Sequence, residues 1–481
     1  MKRVLLGIAL LTVLLPVFAF AGPAETKAPG GSITGKTVWA GRVLVSGPVR
    51  VEAGASLVIR PGTSVRFAKG SGLEVAGILK AEGRKGGSIT LTSAEGRPAP
   101  GDWTGISFVE AKEGTVLKNC AIAYAGSVTV GGCSPSIRDC TIKDGTQGVV
   151  LARKSSPSLS GNVITDIQQD GIQCQMGSSP AVNGNRVERC GANGIFSNKE
   201  SQPTITGNTV SGCKTGIRLS QPLPPVEKNV LKDNETGIYI SSAGNSLIIR
   251  GNRIQDNKTG VVCWQNAGPT VEGNDITGNS GAGVYCAKFS SPVIFNNDIA
   301  GNGQGISCVQ LCNPRIYAND IHDNKTGVYL DLSSYAMVNG NNIYDNKVQF
   351  ELGNMSSDWE AKANKKPIRG AQAQNMTLIN RGRMPVKRAG EGSGIMGYVD
   401  ATANWWGQKD TDEMDKKGPD ANMDAFVDYH DVPTRTYEGY TGVYVQDRIK
   451  YDGWKAAKIK NAGIKAAGRG TATWSGSGSA W

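Results

Sequence analysis

The sequence predicts an all-β fold, a right-handed parallel β-helix built as a three-sheet solenoid with coils of about 22 residues. Three observations predict it. An aliphatic residue recurs two places after an Asn or Cys, at Ile122, Ile142, Ile164, Val187, Val210, Leu231, Ile254, Ile276, Ile299, Ile321 and Ile343, in steps of 20 to 23 residues. A Gly-aliphatic pair runs in phase with it, from Gly148-Val149 to Gly327-Val328. A third aliphatic ladder, from Leu159 to Val338, precedes the Asn by three. Each coil therefore carries three short apolar segments separated by Gly, Asn, Asp, Ser and Pro, which suits strands and is too short for helices.

Three strands per coil make a triangular prism, each strand pairing in parallel with its copy one coil on, ~4.8 Å away. One coil cannot bury its apolar side, but a stack can. Asn162, Asn185, Asn208, Asn229, Asn252, Asn274, Asn297, Asn319 and Asn341 fall at one corner. Stacked there, each amide bonds the next and satisfies turn groups that water cannot reach. The glycines are expected to relieve turns that need positive φ.

Along the chain, residues 1–21 read as a secretory signal peptide: Lys2 and Arg3, an apolar run from Val4 to Phe18, then Ala19-Phe20-Ala21. The run falls short of the ~20 residues that span a bilayer. The chain is thus expected to be exported (periplasmic, cell-surface or secreted), with no transmembrane segment in the mature form. Residues 22–35 form a flexible leader, 36–110 the N-terminal coils and 111–350 the regular repeats. Residues 351–435 hold a basic insertion, the last coil and a cap, and 436–481 a basic, partly disordered tail.

Glycine, at 64 residues, with few aromatics, is a composition that can mean disorder, but here the glycines recur at fixed places. The formal charge is +11, and loss of Lys2 and Arg3 leaves +9. The excess is concentrated. Eight basic residues and no acid lie between Ala361 and Gly390: Lys362, Lys365, Lys366, Arg369, Arg381, Arg383, Lys387 and Arg388. Lys455, Lys458, Lys460, Lys465 and Arg469 follow in the tail. In an exported chain such patches favour acidic polysaccharide or another envelope component over nucleic acid, or act as solvated loops. A monomer is expected.

The run from Gly251-Asn252-Arg253-Ile254 to Asn257-Lys258-Thr259-Gly260-Val261 resembles the repeat of pectin-lyase-like parallel β-helices and of NosD-type periplasmic copper-accessory proteins. Gly54 to Phe67 and Gly101-Asp102-Trp103-Thr104-Gly105-Ile106 are similar to the N-terminal coils of secreted β-helix proteins. Asn404-Trp405-Trp406-Gly407 resembles a motif that closes such helices. The resemblance covers roughly residues 36 to 435. It implies the fold, while the activity stays open, because the fold hosts lyases, hydrolases, epimerases, adhesins and scaffolds.

The candidate chemistry is sparse. Asp275, Asp298 and Asp320 share one place on three successive coils, pointing outward. Like charges that close repel unless a cation sits among them, and calcium takes several carboxylate oxygens, so the stack is a candidate catalytic or calcium site. The other reading is a hydrated acidic stripe near Arg253. Asp420, Asn422 and Asp424 open a second run, with Asp428 and Asp431, spaced like a helix-loop-helix calcium loop, but Ala425 replaces its glycine. His322 falls at a position of varied side chains and reads as an indifferent outward site. Arg448-Ile449-Lys450 echoes a polygalacturonase motif without its Gly-His-Gly companion, and Asp428-Tyr429-His430-Asp431 lacks the proline of the alginate-epimerase motif.

Of the ten cysteines, Cys174, Cys263, Cys286 and Cys308 face inward by alternation. Cys190 with Cys213, and Cys120 with Cys140, share corner positions. Buried thiols are the first expectation and inter-coil disulfides at the two corner pairs the second. No Cys/His grouping or Met-rich motif supports copper. Alternation also sets Phe196, Arg218, Tyr239, Tyr285 and Tyr329 outward on one face, with Trp264 adjacent. That is a track on which sugar rings stack, or a set of aromatics that simply favour strands. The leading function is a non-catalytic exported scaffold binding polysaccharide or another surface partner through Phe196, Tyr239, Trp264, Tyr285 and Tyr329. Its rivals are a calcium-dependent polysaccharide lyase or epimerase at the stacked aspartates and a periplasmic metal-accessory protein.

Overall fold

The ladders close into a prism. A computed structural model describes residues 25–198, 200–220, 225–242, 246–363 and 397–464. Three parallel sheets of 15, 16 and 14 strands wind around one core. Sheet A runs from Thr26–Ala28 to Asn342–Tyr344, sheet B from Gly31–Ile33 to Phe426–Val427, and sheet C from Lys36–Trp39 to Met337–Asn339. The three aliphatic ladders pair rung to rung, as in Ile254↔Ile276, Val261↔Val284 and Val271↔Ile294, and all six side chains are fully buried. No helix among the described residues is long and apolar enough to cross a membrane.

The corner asparagines bond as their spacing predicts. Asn252 donates its backbone N–H and its Nδ2 to Asn274 Oδ1, both at 3.0 Å, and Nδ2 also reaches Val226 O at 2.9 Å. A second ladder occupies another corner: Asn234, Asn257, Asn279, Asn302, Asn324 and Asn346 pass the same bond from coil to coil. Each ladder starts on a cysteine, with Cys140 N–H donating to Asn162 Oδ1 and Cys213 N–H to Asn234 Oδ1. The first ladder ends on Asn404, whose Oδ1 accepts from Asn341 N–H at 2.8 Å. All ten cysteines are buried free thiols, so neither corner pair is a disulfide.

The glycines of the Gly-aliphatic ladder are needed for a different reason from the one expected. None of them sits at positive φ; that conformation belongs to the glycines just before the corner Asn, such as Gly251 (φ 63°) and Gly273 (φ 62°). A Cβ on Gly260 would lie 2.4 Å from the carbonyl oxygen of Gly283 and 3.1 Å from Cγ2 of Ile276. Close approach of backbone to backbone is the constraint there.

The ends also differ from expectation. Residues 22–35, expected as a leader, supply the first rungs Thr26–Ala28 and Gly31–Ile33, which pair with Arg42–Val45 and Val49–Val51. The region expected to hold the basic insertion, last coil and cap carries helices Ser357–Ala363 and Gln408–Lys417. Trp406, fully buried, seals the C-terminal end of the core against Phe350 and Phe426. Strand Tyr398–Asp400 pairs with Arg448–Lys450, and residues 455–464 of the expected tail lie across sheet A. The signal peptide, most of the basic insertion, and Lys465 and Arg469 lie outside the described residues.

Candidate functional site

Strand alternation on sheet B turns one residue per coil outward, and the pairing puts those residues in one column. Its rungs are Phe196↔Arg218↔Tyr239↔Val262↔Tyr285↔Ser307↔Tyr329↔Glu351. The four rings are partly buried, while Val262 and Ser307 between them are buried. From Tyr239 onward a tyrosine stands on every second rung, about 9.6 Å apart at the strand spacing, the length scale of a disaccharide. Trp264 lies two residues past Val262 on the next outward position, pairing with Ser241 and Ala287 in the neighbouring column.

Two cations are built into this face. The Arg218 guanidinium lies between two rings, 5.7 Å from the centre of Phe196 and 5.4 Å from that of Tyr239. Such a stack holds the guanidinium plane through the ring quadrupoles and leaves its edge donors outward. Lys288 Nζ lies 4.5 Å from the ring centre of Trp264. Tyr329 is more constrained: its hydroxyl donates to Asp331 Oδ2 at 3.1 Å, and burial pushes its pKa well up, so it stays a neutral donor.

On sheet A the three aspartates stack as expected, Asp275↔Asp298↔Asp320, with Arg253 and Asn342 as flanking rungs. Each carboxylate has its own partner. Arg253 Nε lies 3.2 Å from Asp275, His322 Nε2 lies 3.0 Å from Asp298, and Asn342 Nδ2 donates to Asp320 at 2.5 Å. Lys458 Nζ, arriving from the chain's C-terminal segment, stands 3.6 Å from Asp320 and donates to the Tyr344 hydroxyl at 2.8 Å. These partners supply donors and positive charge to the stacked carboxylates.

His322 is the residue that sequence reasoning undervalued. Its Nδ1 meets Asp323 at 2.7 Å while Nε2 meets Asp298, and its ring stacks on Tyr344 with centroids 4.9 Å apart. The hydrogen bond from Asp298 raises its pKa above the ordinary value, against the lowering from burial. The signal was present as a separation of 24 residues from Asp298, one coil plus the two residues that return to the same face. With both nitrogens held by carboxylates, the imidazole has no free lone pair for a substrate proton.

The second acidic run does not gather. Asp420, Asn422 and Asp424 are exposed, and Lys417 Nζ donates to the Asn422 carbonyl and lies 3.9 Å from Asp424. Among the described residues no group of three or more His, Cys, Asp or Glu is arranged to hold a metal ion. Cys263, Cys286 and Cys308 form a column in the core, paired rung to rung and wholly buried. The hydrogen bond with Cys286, and then burial, raise the Cys263 thiol well above its usual pKa; burial alone pushes Cys174 up to about 12. Protonated thiols in a dry core are poor metal ligands.

The family described as "Right handed beta helix region" matches residues 92–222, and that described as "Periplasmic copper-binding protein (NosD)" matches residues 225–375. The buried cysteine column does not fit the copper in the second description. No curated protein matches the sequence. Solved structures with a similar backbone path include a variant of the periplasmic alginate epimerase AlgG, at 15% identity over 64% of this chain and 76% of that one, with a TM-score of 0.40. The A-module of a mannuronan C-5 epimerase from Azotobacter vinelandii shares 13% identity over 69% of this chain and 83% of that one, with a TM-score of 0.29. At these scores the likeness says nothing of activity. By its repeat, its register and the two family matches, the chain is a right-handed parallel β-helix protein.

Proposed function

We propose that the chain is an exported, non-catalytic scaffold that holds an acidic polysaccharide along the outer face of sheet B. The observation that carries the reading is the column of Phe196, Tyr239, Tyr285 and Tyr329, with Trp264 in the adjacent column. Rings repeating with the coil suit a ligand that itself repeats. Arg218 and Lys288 add two cations to the same face, which suits a polyanion. The periplasmic location in the NosD description agrees with the export expected from residues 1–21. On sheet A, the saturation of His322 and the separate pairing of the three aspartates favour support over proton transfer.

The test is binding of polygalacturonate to the full chain, read by affinity electrophoresis at several salt concentrations. Charge contacts are screened over ~8 Å at physiological salt, so affinity should fall as salt rises. Tyr239→Ala combined with Trp264→Ala should remove the part that salt does not. Binding that ignores both salt and these substitutions would sink the reading. The lyase or epimerase alternative predicts product that accumulates with time, with or without calcium, and that Asp298→Ala abolishes.

A further inference from the structure

The C-terminal cap holds a cavity of about 610 Å³. The chain leads from the sheet B column into its wall. Tyr329 is followed on its column by Glu351 and then Val427, and the chain runs on directly into Asp428, Tyr429 and His430. His430 lines the cavity, together with Tyr398, Tyr429, Arg448, Lys450 and Asp452. Strand Arg448–Lys450 buries Ile449 and leaves Arg448 and Lys450 exposed.

Asp428 assembles this corner. It is buried, its Oδ2 accepts the Ile449 N–H at 2.8 Å, and its Oδ1 accepts the His430 N–H at 2.9 Å. The same Oδ1 lies 3.1 Å from His430 Nδ1. A carboxylate that already takes two backbone donors keeps the proton of a neutral imidazole on Nδ1, so Nε2 carries the lone pair. Among the described residues, Nε2 has no partner. Arg448 has no carboxylate partner among them either; its guanidinium lies 4.6 Å from the ring centre of Tyr429.

Two of the four carboxylates on the wall, Asp447 and Asp358, are occupied. Asp447 accepts from the Ser357 N–H and hydroxyl and from the Tyr335 hydroxyl. Asp358 pairs with Lys362 at 2.8 Å; Asp452 Oδ1 is buried without a hydrogen-bond partner, 4.0 Å from Lys450 Nζ, and Asp420 is exposed. The groups left to meet a ligand include one acceptor on His430, the donor fork of Arg448 and the Asp420 carboxylate, while the ring faces of Tyr429 and Tyr398 are taken by Arg448 and Lys450. A cavity of this size takes a small molecule of one or two sugar rings.

We propose that this cap cavity is a second binding site, for a single carboxylate-bearing sugar: Arg448 takes the carboxylate and His430 Nε2 accepts from a hydroxyl. The assignment of a sugar acid rests on the reading of sheet B as a polysaccharide track, because the chain enters the cavity wall at Tyr429, two residues after Val427 at the end of that column. The anion chemistry is shared with free phosphate, and the test separates the two. D-Galacturonate, D-galactose and inorganic phosphate are each titrated calorimetrically into the full chain.

Galacturonate should bind, and galactose should bind more weakly. Arg448→Gln and His430→Gln should each weaken galacturonate by about tenfold or more, as expected for losing a hydrogen bond to a charged group or its companion. Arg448 is exposed, so its variant should fold even if His430→Gln does not. No binding of galacturonate, or binding indifferent to Arg448→Gln, overturns the proposal. Phosphate binding as tightly as galacturonate makes the cavity a plain anion site and overturns the sugar assignment. Polymer binding without monomer binding removes the cap site and leaves the track; monomer binding without polymer binding does the reverse.

Discussion

His322 shows how one side chain ties three coils together. Asp298 comes from the coil before it, Asp323 from its own, and Tyr344 from the coil after. Its pKa is raised in the folded state, so the stabilisation it contributes is fully present below the unfolded value near 6.5 and is lost as pH rises through the folded value. The difference in melting temperature between the parent and His322→Gln should therefore be larger at pH 5.5 than at pH 9. An equal difference at both would show that the ring acts by packing alone. The cysteines make the opposite case, with no function visible beyond volume. All ten should resist a thiol reagent in the native protein and react with it once unfolded without reductant; a shortfall of two or four would reveal disulfides formed at the corner pairs.

The asparagine ladder is the element that sets the coil. Asn274 Oδ1 accepts two bonds from Asn252, and its own Nδ2 donates to Ile249 O, Glu272 O and Asn297 Oδ1. Replacing it with Ala leaves buried donors and acceptors on both neighbouring coils unpaired. At about 1–3 kcal/mol for each buried group left unsatisfied, Asn274→Ala should cost at least ~3 kcal/mol. Gly260→Ala should also destabilise, by about 1–3 kcal/mol, because its Cβ would press on the Gly283 carbonyl. Denaturant titration measures both, and a near-neutral result for either would remove that contact from the account. The ladder was legible because hydrogen bonding to the identical residue one coil away demands strict spacing. The glycine requirement was legible as a pattern but not as a cause, because close approach between coils is a property of the stack.

At the scale of the molecule, each coil touches chiefly its neighbours, so stability is close to a sum of coil and interface terms and the ends are where unfolding starts. The C-terminal end is closed by Trp406 against Phe350 and Phe426. Trp406→Ala should cost about 3–5 kcal/mol. In hydrogen exchange the loss of protection should appear first in the coils beside Phe350 and spare those around Ile142. Uniform loss along the chain would show instead that the solenoid unfolds as one unit.

The sequence by itself determined the fold class, the register, the inward ladders and the outward columns on sheets A and B. It did so because a solenoid repeats one local rule, and a residue's neighbours lie one coil away at a countable separation. It located Tyr239, Tyr285 and Tyr329 on one face, and it stacked Asp275, Asp298 and Asp320. Only the tertiary structure decided what meets those columns from outside the repeat. Lys458 reaches Asp320 and Tyr344 from more than a hundred residues away, and Asp428 joins His430 to the strand bearing Arg448. The motifs around His430 and Arg448 were visible separately and set aside. They belong to a cap that follows no period, where chain path rather than spacing chooses the neighbours.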